Sequence, residues 1–141
     1  MTVPTALGGR VLDVAALVDI ATDRTIYGQS LIPMVQRQGL TLAIPAAALL
    51  VARGHLEPGG RGRLHLLPHM AATVVDVLDL EVAETAGDLL ATVETPLDGS
   101  ADATSATHVA LSALRRGWPV ITDRGATLRA VDATIEIDAL P

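Results

Sequence analysis

Three aspartates stand where an α/β chain could gather a ligand. Asp13 closes the short apolar stretch VL, Asp123 closes PVIT, and Asp102 introduces the helical segment that leads into PVIT. In a parallel sheet, ligands collect beyond the carboxyl ends of the strands. The helix that Asp102 begins runs back toward the strand ending at Asp123, so its N-terminus falls on that same side. Three carboxylates converging there would repel one another and would be costly to desolvate. A hard divalent cation, Mg²⁺ or Mn²⁺, removes that cost, because it takes oxygen ligands and keeps several waters. Each acid also has a purely structural role open to it. Asp13 can cap the helix that follows, Asp123 can cap a short helix after PVIT, and Asp102, beside Asp98, Ser100 and Thr104, can serve as a cap or first-turn acid favoured by the helix dipole. Spacing alone leaves both roles open.

Other polar residues are less specific. Arg53, Arg61 and Arg63 cluster about the Gly-rich run EPGGRGR, where they could hold an RNA backbone bidentately or simply form a solvated face. Arg115, Arg116, Arg124 and Arg129 make a second group. His108 sits at the edge of an apolar stripe, the place of a hydrogen-bonded core-edge histidine more than of a ligand. His55, His65 and His69 lack the spacing of a two-ligand metal motif.

The elements that must position these groups read as alternating strands and helices. A strand at Val11 and Leu12 is followed by a helix through Ala16, Leu17 and Ile20. A second helix holds Leu31, Met34 and Val35, with Pro33 at its start or kinking it, and Gly39 stops it. Residues 40–44 make a buried strand, and Pro45 opens the next helix at its first turn. Residues 57–63 read as a loop and residues 73–80 as a strand. A helix follows over 81–93, then the turn PLDGS, the helix begun by Asp102, a strand over 119–122, a short helix from Ala126 to Ala130 and a last strand over 133–138. The strands are apolar runs more than in/out alternations, the mark of a parallel sheet covered on both faces. The expected fold is α/β: one domain over residues 1–141, a three-layer α/β/α sandwich about a central, mostly parallel sheet.

Composition narrows the function classes. The chain has 141 residues, enough for one core without staples, and a net charge of −6. That charge argues against a broadly basic nucleic-acid-binding face, but not against an enzyme that cuts nucleic acid with acidic residues. There is no cysteine, hence no disulfide or thiolate zinc site, and all ten basic residues are Arg. The first ten residues do not read as a secretory signal, and the longest apolar run, residues 40–52, is short for a membrane span and contains Pro45. These features point to a soluble cytoplasmic protein. A nucleotide-binding or receiver-type domain is set aside, because no Gly-rich phosphate loop follows the first strand and there is no Lys.

Taken in order, VLDVAALVDI, LTLAIPAAALLVA and HVALSALRRGWPVITDRGATLRA resemble a PIN domain, in particular the actinobacterial branch related to VapC-type toxins of toxin–antitoxin pairs. The resemblance covers nearly the whole chain. It implies a metal-dependent ribonuclease fold in which three or four acids bind Mg²⁺ or Mn²⁺ and activate water against an RNA phosphodiester. It further implies an antitoxin protein as partner and a homodimer. Asp13 matches the first family acid directly. The second, usually a Glu, falls at about Val51, and no carboxylate stands in that helix. Counting back from Gly117 and Pro119 puts the third at Ala106, with Asp102 four residues earlier and about one turn away. Asp123 matches the last acid approximately, since the family often reads T-x-D where Thr122 is followed at once by Asp123. The expected catalytic and metal-binding set is therefore Asp13, Asp102 and Asp123. The alternative is a PIN-like binding or assembly module that has lost its chemistry.

Overall fold

Five strands form one parallel sheet in the order β3-β2-β1-β4-β5. The computed structural model describes residues 8–94, 97 and 100–141, and of residues 100–102 the backbone alone. Most of the PLDGS turn lies outside the described residues. The strands are β1 (Gly9–Leu12), β2 (Thr41–Pro45), β3 (Thr73–Asp76), β4 (Val120–Thr122) and β5 (Ile137–Ala139), and the helices are α1 (Val14–Thr22), α2 (Ile26–Gln38), α3 (Ala46–Gly54), α4 (Pro58–Leu66), α5 (Leu80–Ala91), α6 (Ser100–Arg116) and α7 (Gly125–Val131). The expected α/β/α sandwich is present. Helix α1 packs on α3 and α4, while α6 packs on α3, α5 and α7 as well as on β1 and β2.

The burial of each strand follows its place in the sheet. In β1, β2 and β4 the residues Val11, Leu12, Leu42, Ala43, Ile44, Val120 and Ile121 are wholly buried, because helices cover both sides. The edge strand β3 is different, with Val74 and Val75 partly open to water. Small side chains bring the helices close: Ala16, Ala48, Ala52, Ala106 and Ala110 all lie in the core.

Three expectations change. Residues 57–63 are not a loop but mostly the helix α4. Pro58 stands in its first turn, where a missing N–H costs nothing, and Leu64 is buried beneath it, so tertiary packing overrides the helix-weakening glycines. The strand expected over 73–80 ends at Asp76, where its register against Pro45 ends, and the Asp79 carboxylate accepts from the Val82 N–H to cap α5 instead. The last strand starts at Ile137 rather than near 133, because Asp132 Oδ1 accepts from both the N–H and the hydroxyl of Thr134 and holds a turn there. Pro33 lies inside α2 on its exposed side, within a helix that runs unbroken to Gly39, whose φ of 66° ends it.

Candidate functional site: an ion pair at the sheet switch point

The strand order reverses direction between β1 and β4, since the chain leaves β1 toward β2 and β3 and returns to the other side of β1. The crevice beyond the carboxyl ends of two such strands is where an open sheet binds ligands. Asp13 follows β1 there, and Asp123 and Arg124 follow β4.

Asp13 is completely buried. It is the N-cap of α1, with Oδ1 accepting from the Val14 N–H at 2.8 Å. The Thr122 hydroxyl donates to its Oδ2 at 2.7 Å. The Arg124 guanidinium then meets the carboxylate side-on, Nε to Oδ2 at 2.8 Å and Nη2 to Oδ1 at 2.7 Å. Arg124 Nη2 also donates to the Ser105 hydroxyl of α6 at 2.9 Å, and the Arg124 N–H donates to Thr122 Oγ1 at 2.9 Å. Both oxygens of Asp13 thus carry charge-assisted bonds in a dry setting, where such bonds are strongest.

Asp123 takes another direction. It is exposed, and it lines a cleft of about 410 Å³ with Val14, Arg24, Val51, His55 and Arg124. Asp102 lies in the first turn of α6, one turn before Ser105, and its side chain is outside the described residues. Among the described residues, no three His, Asp or Glu side chains stand together as a metal would need. Val51, on α3, lines the same cleft as Asp123. The helix position that meets the centre is Ser105 and not Ala106, which is buried in the apolar core. Arg124 is the residue that sequence reasoning passed over. The signal for it was present: counted strictly, the T-x-D spacing from Thr122 lands on Arg124.

A divalent cation does not fit this donor set as it stands. An ion at Asp13 would need the two oxygens that a positive guanidinium covers, and among the described residues no cluster of further acids or histidines stands with it. The cation that satisfies the buried carboxylate is supplied by the chain itself.

The remaining residues fall elsewhere. Arg53 Nη1 donates to the Arg61 carbonyl, Arg61 Nη1 donates to the Leu56 carbonyl, and Arg63 pairs with Asp23, so these three tie α3, α4 and the end of α1 together. His108 is buried in α6, and its Nδ1 accepts from the Ala47 N–H in the first turn of α3 at 3.2 Å. It is a hydrogen-bonded histidine of the core edge, as its place on the stripe predicts, and the bond it accepts caps α3. Burial holds its pKa below the usual histidine range, against the opposing pull of the Asp76 charge and of a hydrogen bond with the Val77 backbone.

No protein-family model and no curated protein matches the sequence. Solved structures do match. VapBC2 from Rickettsia felis, bound to a DNA fragment from its promoter, superposes with a TM-score of 0.68 at 11% identity, covering 94% of this chain and 99% of that one. The Mycobacterium tuberculosis toxin VapC20, which cleaves the sarcin–ricin loop, gives 0.61 at 11% identity over 86% and 94%. FitAB bound to a DNA fragment gives 0.56 at 15% identity over 92% and 94%. No helix among the described residues is long and apolar enough to cross a membrane. The chain therefore has the fold of a VapC-like PIN domain.

Proposed function

We propose that this chain is the PIN-type member of a toxin–antitoxin-like pair, and that it works by binding rather than by metal-dependent hydrolysis. The observation that carries this reading is the Arg124 guanidinium lying side-on against both oxygens of the buried Asp13. An antitoxin protein and a second copy of the chain are its partners. The likeness to VapBC2 and FitAB supports the first. For both, Val77 and Leu78 between β3 and α5 and Leu80 at the start of α5, all open to water, offer apolar surface.

The second reading is a Mg²⁺- or Mn²⁺-dependent endoribonuclease that uses Asp13, Asp102 and Asp123, with Arg53, Arg61 and Arg63 on the RNA backbone. One observation favours it: the cleft beside Asp123 is lined by Arg124 itself, so the guanidinium has space to leave the carboxylate. Incubation of the purified protein with RNA and Mn²⁺, beside Asp13→Asn, separates the two. Under the binding reading neither protein cleaves, and the wild type shows no Mn²⁺-dependent rise in Tm, because a ligand that binds the native state must stabilise it. Cleavage that Asp13→Asn abolishes would establish the nuclease.

A further inference from the structure

We infer that Arg124 is a resident cation in the place of a divalent ion, and that removing its guanidinium uncovers a cation-dependent site at Asp13. The inference rests on the binding reading above and goes a step further, to what holds the centre together.

The buried Asp13 carboxylate needs a positive partner, since an ionised carboxylate is costly to keep out of water unpaired. Among the described residues Arg124 is the basic group that reaches it. Among the described residues the guanidinium is held by both Asp13 oxygens and by the Ser105 hydroxyl, while the Arg124 backbone N–H donates to Thr122 Oγ1. Thr122 joins the two halves of the pair, donating to Asp13 with the same hydroxyl that accepts from Arg124. A mobile surface arginine would not be fixed this way.

What truncation of Arg124 would leave behind is chemically specific. Two carboxylate oxygens of Asp13, the Ser105 hydroxyl and the Thr122 hydroxyl would face the cleft that Asp123 also lines. Every one of these donors is oxygen, the preference of hard divalent cations, and the cleft gives the ion and its waters a path. Arg124 sits at the edge of that cleft with 19% of its side chain exposed, so the space would open to solvent rather than close into a dry void.

The test uses the full-length chain and the fluorescence of its single tryptophan, Trp118, to follow melting in EDTA and in millimolar MnCl₂. Four proteins are compared: wild type, Arg124→Ala, Arg124→Lys, and Asp13→Asn/Arg124→Ala. Wild type and Arg124→Lys are expected to melt alike in both buffers. Arg124→Ala should melt lower in EDTA and regain several degrees with Mn²⁺, or fold only when Mn²⁺ is present. The double variant, which has no buried charge to satisfy, should ignore the ion. The inference is overturned if Arg124→Ala gains nothing from Mn²⁺, if it stays unfolded in both buffers, or if the double variant responds equally. A Mn²⁺ response of the wild type counts instead against the binding reading, so the two failures are told apart.

Discussion

Among the described residues, two aspartates are each gripped side-on by an arginine, and exposure to water is what tells them apart. Asp13 and Arg124 meet at the switch point of the sheet, with the Asp13 side chain wholly buried. Asp76 and Arg116 meet at the sheet edge, where β3 ends against α6, and 18% of the Asp76 side chain remains exposed. The geometry is nearly the same: Nε to Oδ2 is 2.8 Å in the first and 3.0 Å in the second. The supports differ. The first pair is fixed by Thr122, Ser105 and the N-terminus of α1, whereas the second has the Trp118 ring 5.0 Å from the Arg116 guanidinium. Equal contact geometry does not mean equal dependence on the partner. A wholly buried charge stripped of its partner regains little of its hydration, while an edge charge already touches water.

The largest expected effect breaks the comparison at that point. In EDTA, Arg124→Ala should destabilise the fold by about 3–5 kcal/mol, the usual cost of leaving one buried charge uncompensated. Arg116→Ala should cost about 1 kcal/mol, part of it lost packing on Trp118. Urea denaturation measures both. If the two variants lose similar stability, or Arg116→Ala loses more, burial is not what distinguishes the pairs.

The same contrast explains what could be read from the sequence. Apolar runs at β1, β2 and β4 announced a parallel sheet, because strands buried on both faces admit little else. Asp13 could be placed at a strand end for the same reason. The short elements are hidden from the sequence where packing or a cap decides: Leu64 holds α4 in spite of its glycines, and Asp79 caps α5 where the apolar run reads as a strand. The centre itself was half legible. Acids at strand ends read as metal ligands, whereas the arginine at the T-x-D position reads as one more member of the group Arg115, Arg116, Arg124 and Arg129. A sequence gives the charge of Arg124 but not the direction in which its long side chain points. Ser105 was missed by one residue, and on a helix one residue rotates a side chain by about 100°, which is the difference between the core, where Ala106 lies, and the Arg124 guanidinium.

A smaller effect, in pH, sharpens the contrast by titrating the groups around the second pair. His108 caps α3 through an unprotonated Nδ1, and burial lowers its pKa in the folded state. The unfolded chain therefore binds the extra proton first. Stability should be flat above about pH 6.5, the ordinary histidine value, and fall as pH drops below it toward the folded value, with a slope of up to about 1.4 kcal/mol per pH unit. Asp76 acts later. Burial alone would raise its pKa, but the hydrogen bond and charge of Arg116, with help from the Ser112 hydroxyl, hold it below the usual range. Its contribution is present above about pH 4 and is lost on acidification through the lower folded value. Urea midpoints measured across this range should show two successive losses, and His108→Gln should remove the upper one. An unchanged upper slope in that variant would mean that another group carries the proton.

The smallest expected effect marks the far end of the same scale. Arg115, next in sequence to Arg116, meets Glu81 with two hydrogen bonds, so on contacts alone it rivals both other pairs. Its side chains, however, are 43% and 65% exposed. Water solvates each charge nearly as well apart as together, and salt screens what remains. The hydrogen bond from Arg115 still holds the Glu81 carboxyl below its ordinary pKa, which reports a local preference and not a large share of stability. Arg115→Ala should leave Tm unchanged within error at physiological salt, and adding salt should not alter that result. A clear loss in Arg115→Ala would show that a two-point contact by itself stabilises this fold, and the ranking of the three pairs by exposure would have to be given up.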